Sequence, residues 1–190
     1  MSKRRLDAEA LRDAMLAISG KLDLTRPRGS LVAKNGEGFV NRAIVRDPRA
    51  DANHRQRSVY LAVVRDALPE ALGLFDFPDA MTVAGERATT TIPAQALYLM
   101  NNPWVIQQSQ GAADRILKGP GSDEQRIGQA YRMFLSRRPT TEETFNATSF
   151  LKRYAETLTN ENVPRTQIWQ RSWSALCQAL FASAEFSYLD

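Results

Sequence analysis

The chain of 190 residues has one cysteine, one histidine and no apolar run approaching the ~20 residues that a bilayer-crossing helix needs. Cys177 alone cannot form a disulfide within the chain, and it excludes thiolate metal clusters and haem attachment through paired cysteines. With His54 the only histidine, a zinc site would have to be built from carboxylates, so a histidine-rich metal centre is excluded. No cofactor is expected in this chain. The start, Met1-Ser2-Lys3-Arg4-Arg5, lacks the apolar stretch of a secretion signal.

What is present points to a helical protein. At 43% hydrophobic, the chain is long enough for one domain that buries roughly 70% of its unfolded surface, and a single domain over 1–190 is expected. The net charge of +4 conceals an asymmetry: residues 1–65 carry 14 basic and 7 acidic groups, whereas the remainder is mildly acidic. Arginine supplies 20 of the 25 positive charges, and its planar fork suits bidentate pairing with carboxylate, sulfate or phosphate.

Leu11, Ala14, Met15, Ile18 and Leu22 share one helical face, with Asp7 placed to cap and Gly20 to stop the helix, which predicts a helix within 1–22. From 23 to 56 no period persists, and prolines and glycines punctuate a long basic loop. Residues 57–118 read as a strand and short helices. Val59–Val64 and Thr89–Ile92 are the two candidate strands, and Pro69, Pro93 and Pro103 suit first turns of helices. Leu97 and Met100 lie on the second of these helices, and Asn102 is placed to cap the third.

Residues 122–186 predict a three-helix core. Ser122 with Gln125, and Thr140 with Glu143, form capping boxes ahead of apolar stripes. The first stripe is Ile127, Ala130, Tyr131, Phe134 and Leu135, and the second is Ala147, Leu151, Tyr154, Ala155 and Leu158. A last helix aligns Trp169, Trp173, Leu176, Cys177, Leu180, Phe181 and Ala184 over an arc wide enough to be central. The expected fold is mainly α, a multi-helix orthogonal or bundle-like domain with a long irregular N-terminal loop and at most a short two-stranded ribbon.

Chemistry is sparse. A nucleophilic triad would need His54, a serine such as Ser58 and an aspartate, yet no serine sits in a strained elbow motif. The adjacent acids Glu142-Glu143 and Asp123-Glu124 fall in first turns of helices, where the dipole favours them. Gly36-Glu37-Gly38 lacks the lysine and helix start of a phosphate loop, and Trp169 and Trp173 read as core. The strongest functional feature is the basic stretch Arg42, Arg46, Arg49, His54, Arg55 and Arg57, dense enough to hold a polyanion or a partner. It contains no interleaved aromatic and no helix-turn-helix, which argues against nucleic acid.

Four phrases in order carry a family resemblance: Arg4 to Leu16; Arg57 to Asp79; Thr90-Thr91-Ile92-Pro93-Ala94-Gln95 running to Asn101; and Leu176 to Phe181 with Glu185-Phe186. Together they resemble the planctomycete-specific domain one family, a C-terminal domain of large exported proteins that often follows a cytochrome c-like domain. The resemblance implies a periplasmic or cell-surface module, linked to electron transfer or to breakdown of often sulfated polysaccharides. Other domains of a longer parent protein and acidic polysaccharide are the partners it implies. It also implies a further N-terminal stretch, so this chain is expected to be the C-terminal part of a larger family domain. Haem belongs, by the same implication, to a separate domain of full-length relatives. A non-catalytic interaction module is the leading expectation. The rival is an enzyme domain completed by missing N-terminal parts and using Arg55, Arg57 and Asp66.

Overall fold

The computed structural model describes residues 4–28, 53–61, 63, 68–78 and 85–189, and it is mainly helical as expected. In chain order the elements are β1 (Arg4–Arg5), α1 (Ala8–Ser19), α2 (Glu70–Leu74), α3 (Pro93–Asn101), α4 (Pro103–Lys118) and α5 (Asp123–Leu135). After them come α6 (Thr141–Asn160), α7 (Arg165–Phe181), α8 (Ala184–Ser187) and β2 (Tyr188–Leu189). The ribbon joins β1 to β2. Among the described residues neither anticipated strand is seen: Thr89–Ile92 is irregular, and Val59 and Tyr60 complete one turn of 3-10 helix that starts at Ser58, whose amide donates to a carboxylate on α1. The rest of the first candidate strand falls largely outside the described residues.

The chain divides into two compact units. One comprises Met1–Arg4, Ile18–Gly20 and Ala96–Asp190; the other comprises Arg5–Ala17 and Lys21–Gln95.

In the first unit the local signals act as the sequence predicts. Asn102 accepts the Trp104 amide at 2.9 Å with Pro103 opening α4, and both capping boxes are present at the starts of α5 and α6. Gly20 adopts φ 75° at the end of α1, where a Cβ would meet the Arg115 side chain at 2.7 Å. α7 is central, but its most extensive partner is α4 rather than α5 or α6. Val105, Ala112, Ala113 and Ile116 of α4 are fully buried, as are Trp173, Cys177 and Phe181 of α7. Small residues at this seam let two helices approach, and the buried Ser109 and Ser172 hydroxyls donate to carbonyls four residues back in their own helices. Phe134, Phe181 and Phe186 cluster, with ring centroids 4.5 and 5.0 Å from Phe181. Three stripe members differ from expectation, and of these Ala184 is exposed and starts α8 instead of ending α7. Tyr154 is exposed and stacks on Phe150, and Trp169 is half-buried with its edge against Trp173. On α3, Leu97 and Met100 face outward, and the buried residues are Gln95 and Leu99.

Arg137, just after α5, closes this unit at one end. Its guanidinium meets Glu143 at 2.6 and 2.8 Å and Glu185 at 2.5 and 2.6 Å, and it lies over the Tyr131 ring. One cation therefore ties the start of α6 and α8 to the end of α5. The Arg137 fork, helped by the Thr140 amide, holds the Glu143 carboxyl at about 2, against an ordinary 4.5. A carboxylate with a depressed folded pKa stabilises fully above its unfolded value and loses that contribution as pH falls through the folded one. Arg137→Ala should therefore lower stability by about 1 kcal/mol near neutrality, given the partial exposure of all three groups. The difference between variant and parent should shrink as pH falls from 4.5 toward about 2, as read by denaturant titration across that range.

Candidate functional site

The second unit is organised by arginines taken out of water. Arg12 interrupts the apolar face of α1, between Ala8 and Met15, and is only 4% exposed. Its guanidinium donates to the His54 carbonyl at 2.6 Å and to Ser58 Oγ at 3.3 Å. Asp13, the next residue, accepts from the Ser58 amide at 2.7 Å and from Ser58 Oγ at 2.6 Å. Residues 53–58 are thus pinned to α1 through backbone and hydroxyl groups. On their other side, the Asp23 amide donates to the Arg55 carbonyl at 2.9 Å, and Asp23 and Gln56 form a parallel bridge.

This pinning leaves the basic side chains outside. Arg55 is exposed, and among the described residues it makes no ion pair. The Arg57 side chain is 60% exposed and lies 3.8 Å from Asp13, a weak contact with a carboxylate already committed to Ser58. Arg26 and Arg28 are exposed on the segment that the bridge brings alongside. His54 is half-buried, and its Nε2 is out of water with no hydrogen-bond partner. Burial and the Arg12 charge push its pKa below the ordinary 6.5, against the smaller opposing pull of the Arg57 backbone and Asp13. Arg42, Arg46, Arg49 and Asp66 lie outside the described residues. His54, Arg55 and Arg57 are therefore the predicted site residues that are placed, and they stand together on one segment.

Ser58, His54 and Asp13 are the residue types of a hydrolytic triad, but they are wired in another order. A triad needs the serine hydroxyl to donate to histidine and the carboxylate to orient the far side of the ring. Here the serine donates directly to the aspartate, and His54 Nε2 points at neither. The acid pairs weighed as general acid and base are likewise structural. Glu143 closes a capping box and binds Arg137, and Asp123 opens α5 and faces Arg126 at 3.4 Å. Among the described residues, no cluster of three or more histidine, cysteine or acidic side chains could hold a metal ion. Cys177 is buried in the α7 seam, which raises its thiol pKa well beyond the reactive range.

A second polar cluster, unanticipated from sequence, surrounds Arg5. This arginine is 8% exposed and donates to the Thr90 carbonyl, to the Phe75 carbonyl at 3.3 Å and to Asp76 at 2.5 Å. Asp76 sits at φ 61°, a left-handed conformation that aspartate tolerates better than most residues, and it also accepts the Thr90 amide at 2.8 Å and the Thr90 hydroxyl. Gln95 completes the cluster, donating to the carbonyls of Leu74 and Thr90. Partial burial would raise the Asp76 pKa, but the bonds from Thr90 and Arg5 outweigh it and leave the carboxyl below its ordinary value.

A mainly helical domain whose buried polar groups are spent on internal ligatures is thus the class that fold and site define. The chain belongs to the PSD1 family, described as a protein of unknown function (DUF1553), whose family model matches residues 1–151. That span contains the first three phrases that carry the resemblance, while Leu176–Phe181 lies beyond it. No curated protein and no solved structure matches the chain. The three phrases inside the matched span supply Arg5, Arg12, Asp13, Ser58, Asp76, Thr90 and Gln95, so they hold the side chains of both ligatures, while the His54 carbonyl that Arg12 also meets lies outside them.

Breaking a buried pair from one side leaves its partner charged and unmatched. Arg5→Met should therefore cost about 3 kcal/mol or more in urea-unfolding stability. Adding Asp76→Asn to it should cost less than the sum of the two changes, because the second removes the stranded charge.

Proposed function

We propose that this chain is a non-catalytic helical interaction module that presents arginines to an anionic partner. The observation that carries the reading is the two-sided character of residues 53–58. The inner side is locked to α1 by Arg12 and Asp13, and Arg55 and Arg57 project outward with no strong internal match. A side chain that the fold neither buries nor pairs is available to a partner, and guanidinium is the cation best shaped for carboxylate, sulfate or phosphate oxygens. Arg42, Arg46, Arg49 and His54 belong to the same basic stretch of sequence.

The partner is an acidic group on another domain of a longer parent protein, or an acidic or sulfated polysaccharide. The resemblance supports an exported, periplasmic or cell-surface setting in which the parent acts in electron transfer or in polysaccharide breakdown, any haem residing in a separate domain. No helix among the described residues is long and apolar enough to cross a membrane. Nucleic acid is the less favoured polyanion, since no aromatic stands among the arginines to stack a base.

Heparin serves as the probe for a sulfated chain. Calorimetric titration should show binding at low ionic strength that weakens as salt is added, and Arg55→Ala with Arg57→Ala should weaken it roughly tenfold, about 0.5 to 1 kcal/mol for each exposed charge. Binding unchanged in the double variant would remove the proposed surface.

A further inference from the structure

We propose that His54 is an acid-sensitive latch holding residues 53–58 to α1, so that protonating its ring releases the segment that bears Arg55 and Arg57. This inference concerns regulation of the surface proposed above and rests on that reading only for its consequence.

The latch follows from what surrounds the ring. Nε2 is out of water and meets no acceptor among the described residues, so a proton placed there would lack a hydrogen-bond acceptor of its own. Three groups among the described residues bear on the ring's charge: Arg12 opposes protonation from α1, Asp13 on the same helix favours it, and so, less strongly than burial and Arg12 together oppose it, does a hydrogen bond with the Arg57 backbone. Arg12 opposes protonation and is itself nearly fully buried, so it cannot swing away into solvent. Among the described residues Asp13 is the carboxylate that acts on the ring, and Ser58 already takes one of its oxygens through both amide and hydroxyl while the other faces Arg57. A charged imidazole gains more in water than in this setting.

Leaving has a mechanical consequence. The residue whose ring would turn outward is also the residue whose carbonyl accepts from Arg12 at 2.6 Å. Displacing His54 therefore withdraws an acceptor from a buried guanidinium and loosens the segment at one of the points where it meets α1, the Ser58 contacts with Arg12 and Asp13 lying four residues on. The sign is fixed by linkage. The histidine binds its proton less readily in the closed segment than in the open one, so opening is suppressed at neutral pH and grows as pH falls through and below 6.5. It levels off once the closed form is also protonated. At that limit the opening constant has risen by the ratio of the closed to the open acid dissociation constant.

The full chain has one histidine, so its ring protons give unambiguous magnetic-resonance signals. Their titration midpoint should fall below 6.5 in the folded chain. Amide exchange over residues 53–60, corrected for the intrinsic pH dependence of exchange, should show opening that increases on acidification in the parent and stays level in His54→Gln. A midpoint at or above the ordinary value overturns the latch, and so does segment opening that is flat with pH in the parent or that rises equally in the variant. If His54→Gln fails to fold, the parent's midpoint and exchange profile still decide the matter. Neither measurement involves an anionic ligand, so a failure of heparin binding and a failure of the latch are separately visible.

Discussion

A guanidinium removed from water must be met by acceptors, and this chain removes two within its first helix and the strand before it. A guanidinium carries five N–H donors and no acceptor, so wherever Arg5 and Arg12 are buried the chain has to deliver oxygens to them. Those oxygens come from far along the sequence: Phe75, Asp76 and Thr90 for Arg5, and His54 and Ser58 for Arg12. Among the described residues, Leu11, Met15, Leu16, Leu61, Leu72 and Phe75 are the large apolar side chains buried here. A buried ion pair adds little net stability over an apolar substitute, but an unmatched one costs several kcal/mol. The penalty for mispairing therefore helps to select which of the described loops lie against α1, with a directionality that apolar contact lacks.

The other unit obeys the opposite logic. Its polar chemistry sits at helix ends, in two capping boxes and the Arg137 fork, while the seam between α4 and α7 is apolar or self-satisfied. Here the helices were legible because their determinants are local. Ser122, Thr140 and Asn102 each act within three residues of themselves, and the stripe of α5 runs at the helical period. The role of α4 was not legible. Its buried residues include Gln108, Ser109, Ala112 and Ala113, small or polar side chains whose burial is decided by the partner helix rather than by their own hydrophobicity. The outward turn of Leu97 and Met100 on α3 has the same origin, because a helix apolar on more than one side does not announce which side it will bury.

For the site, the sequence located the basic segment but not what holds it. Arg12 was the available signal, a charged residue flanked by Ala8, Met15 and Leu16 on the buried face of an amphipathic helix. Such a residue implies distant acceptors without naming them, since tertiary pairing over more than forty residues leaves no local period. Val59 to Val64 illustrates the converse. Its composition suits a strand, but its first two residues, Val59 and Tyr60, continue a 3-10 turn that begins at Ser58, where Asp13 holds the backbone amide. The family phrases carried position more faithfully than chemistry, because they contain the ligature residues without indicating which residue meets which.

The division between what is fixed and what is free also bears on catalysis. A nucleophilic hydroxyl has to shed its proton to a base that can keep it through the reaction, which is why the imidazole of a triad stands between serine and carboxylate. In this chain Ser58 donates straight to Asp13 while also accepting from Arg12, so its hydroxyl is saturated on both sides, and freeing it would unpin the segment. The same bonds that silence Ser58 hold the backbone at His54, Arg55 and Ser58 in place, and a held backbone lowers the entropy that an arginine surface would otherwise lose on meeting a partner. Pre-organisation of the outward face and inactivity of the inward hydroxyl are therefore two results of one set of hydrogen bonds, and a reading of residues 53–58 as a binding segment uses both.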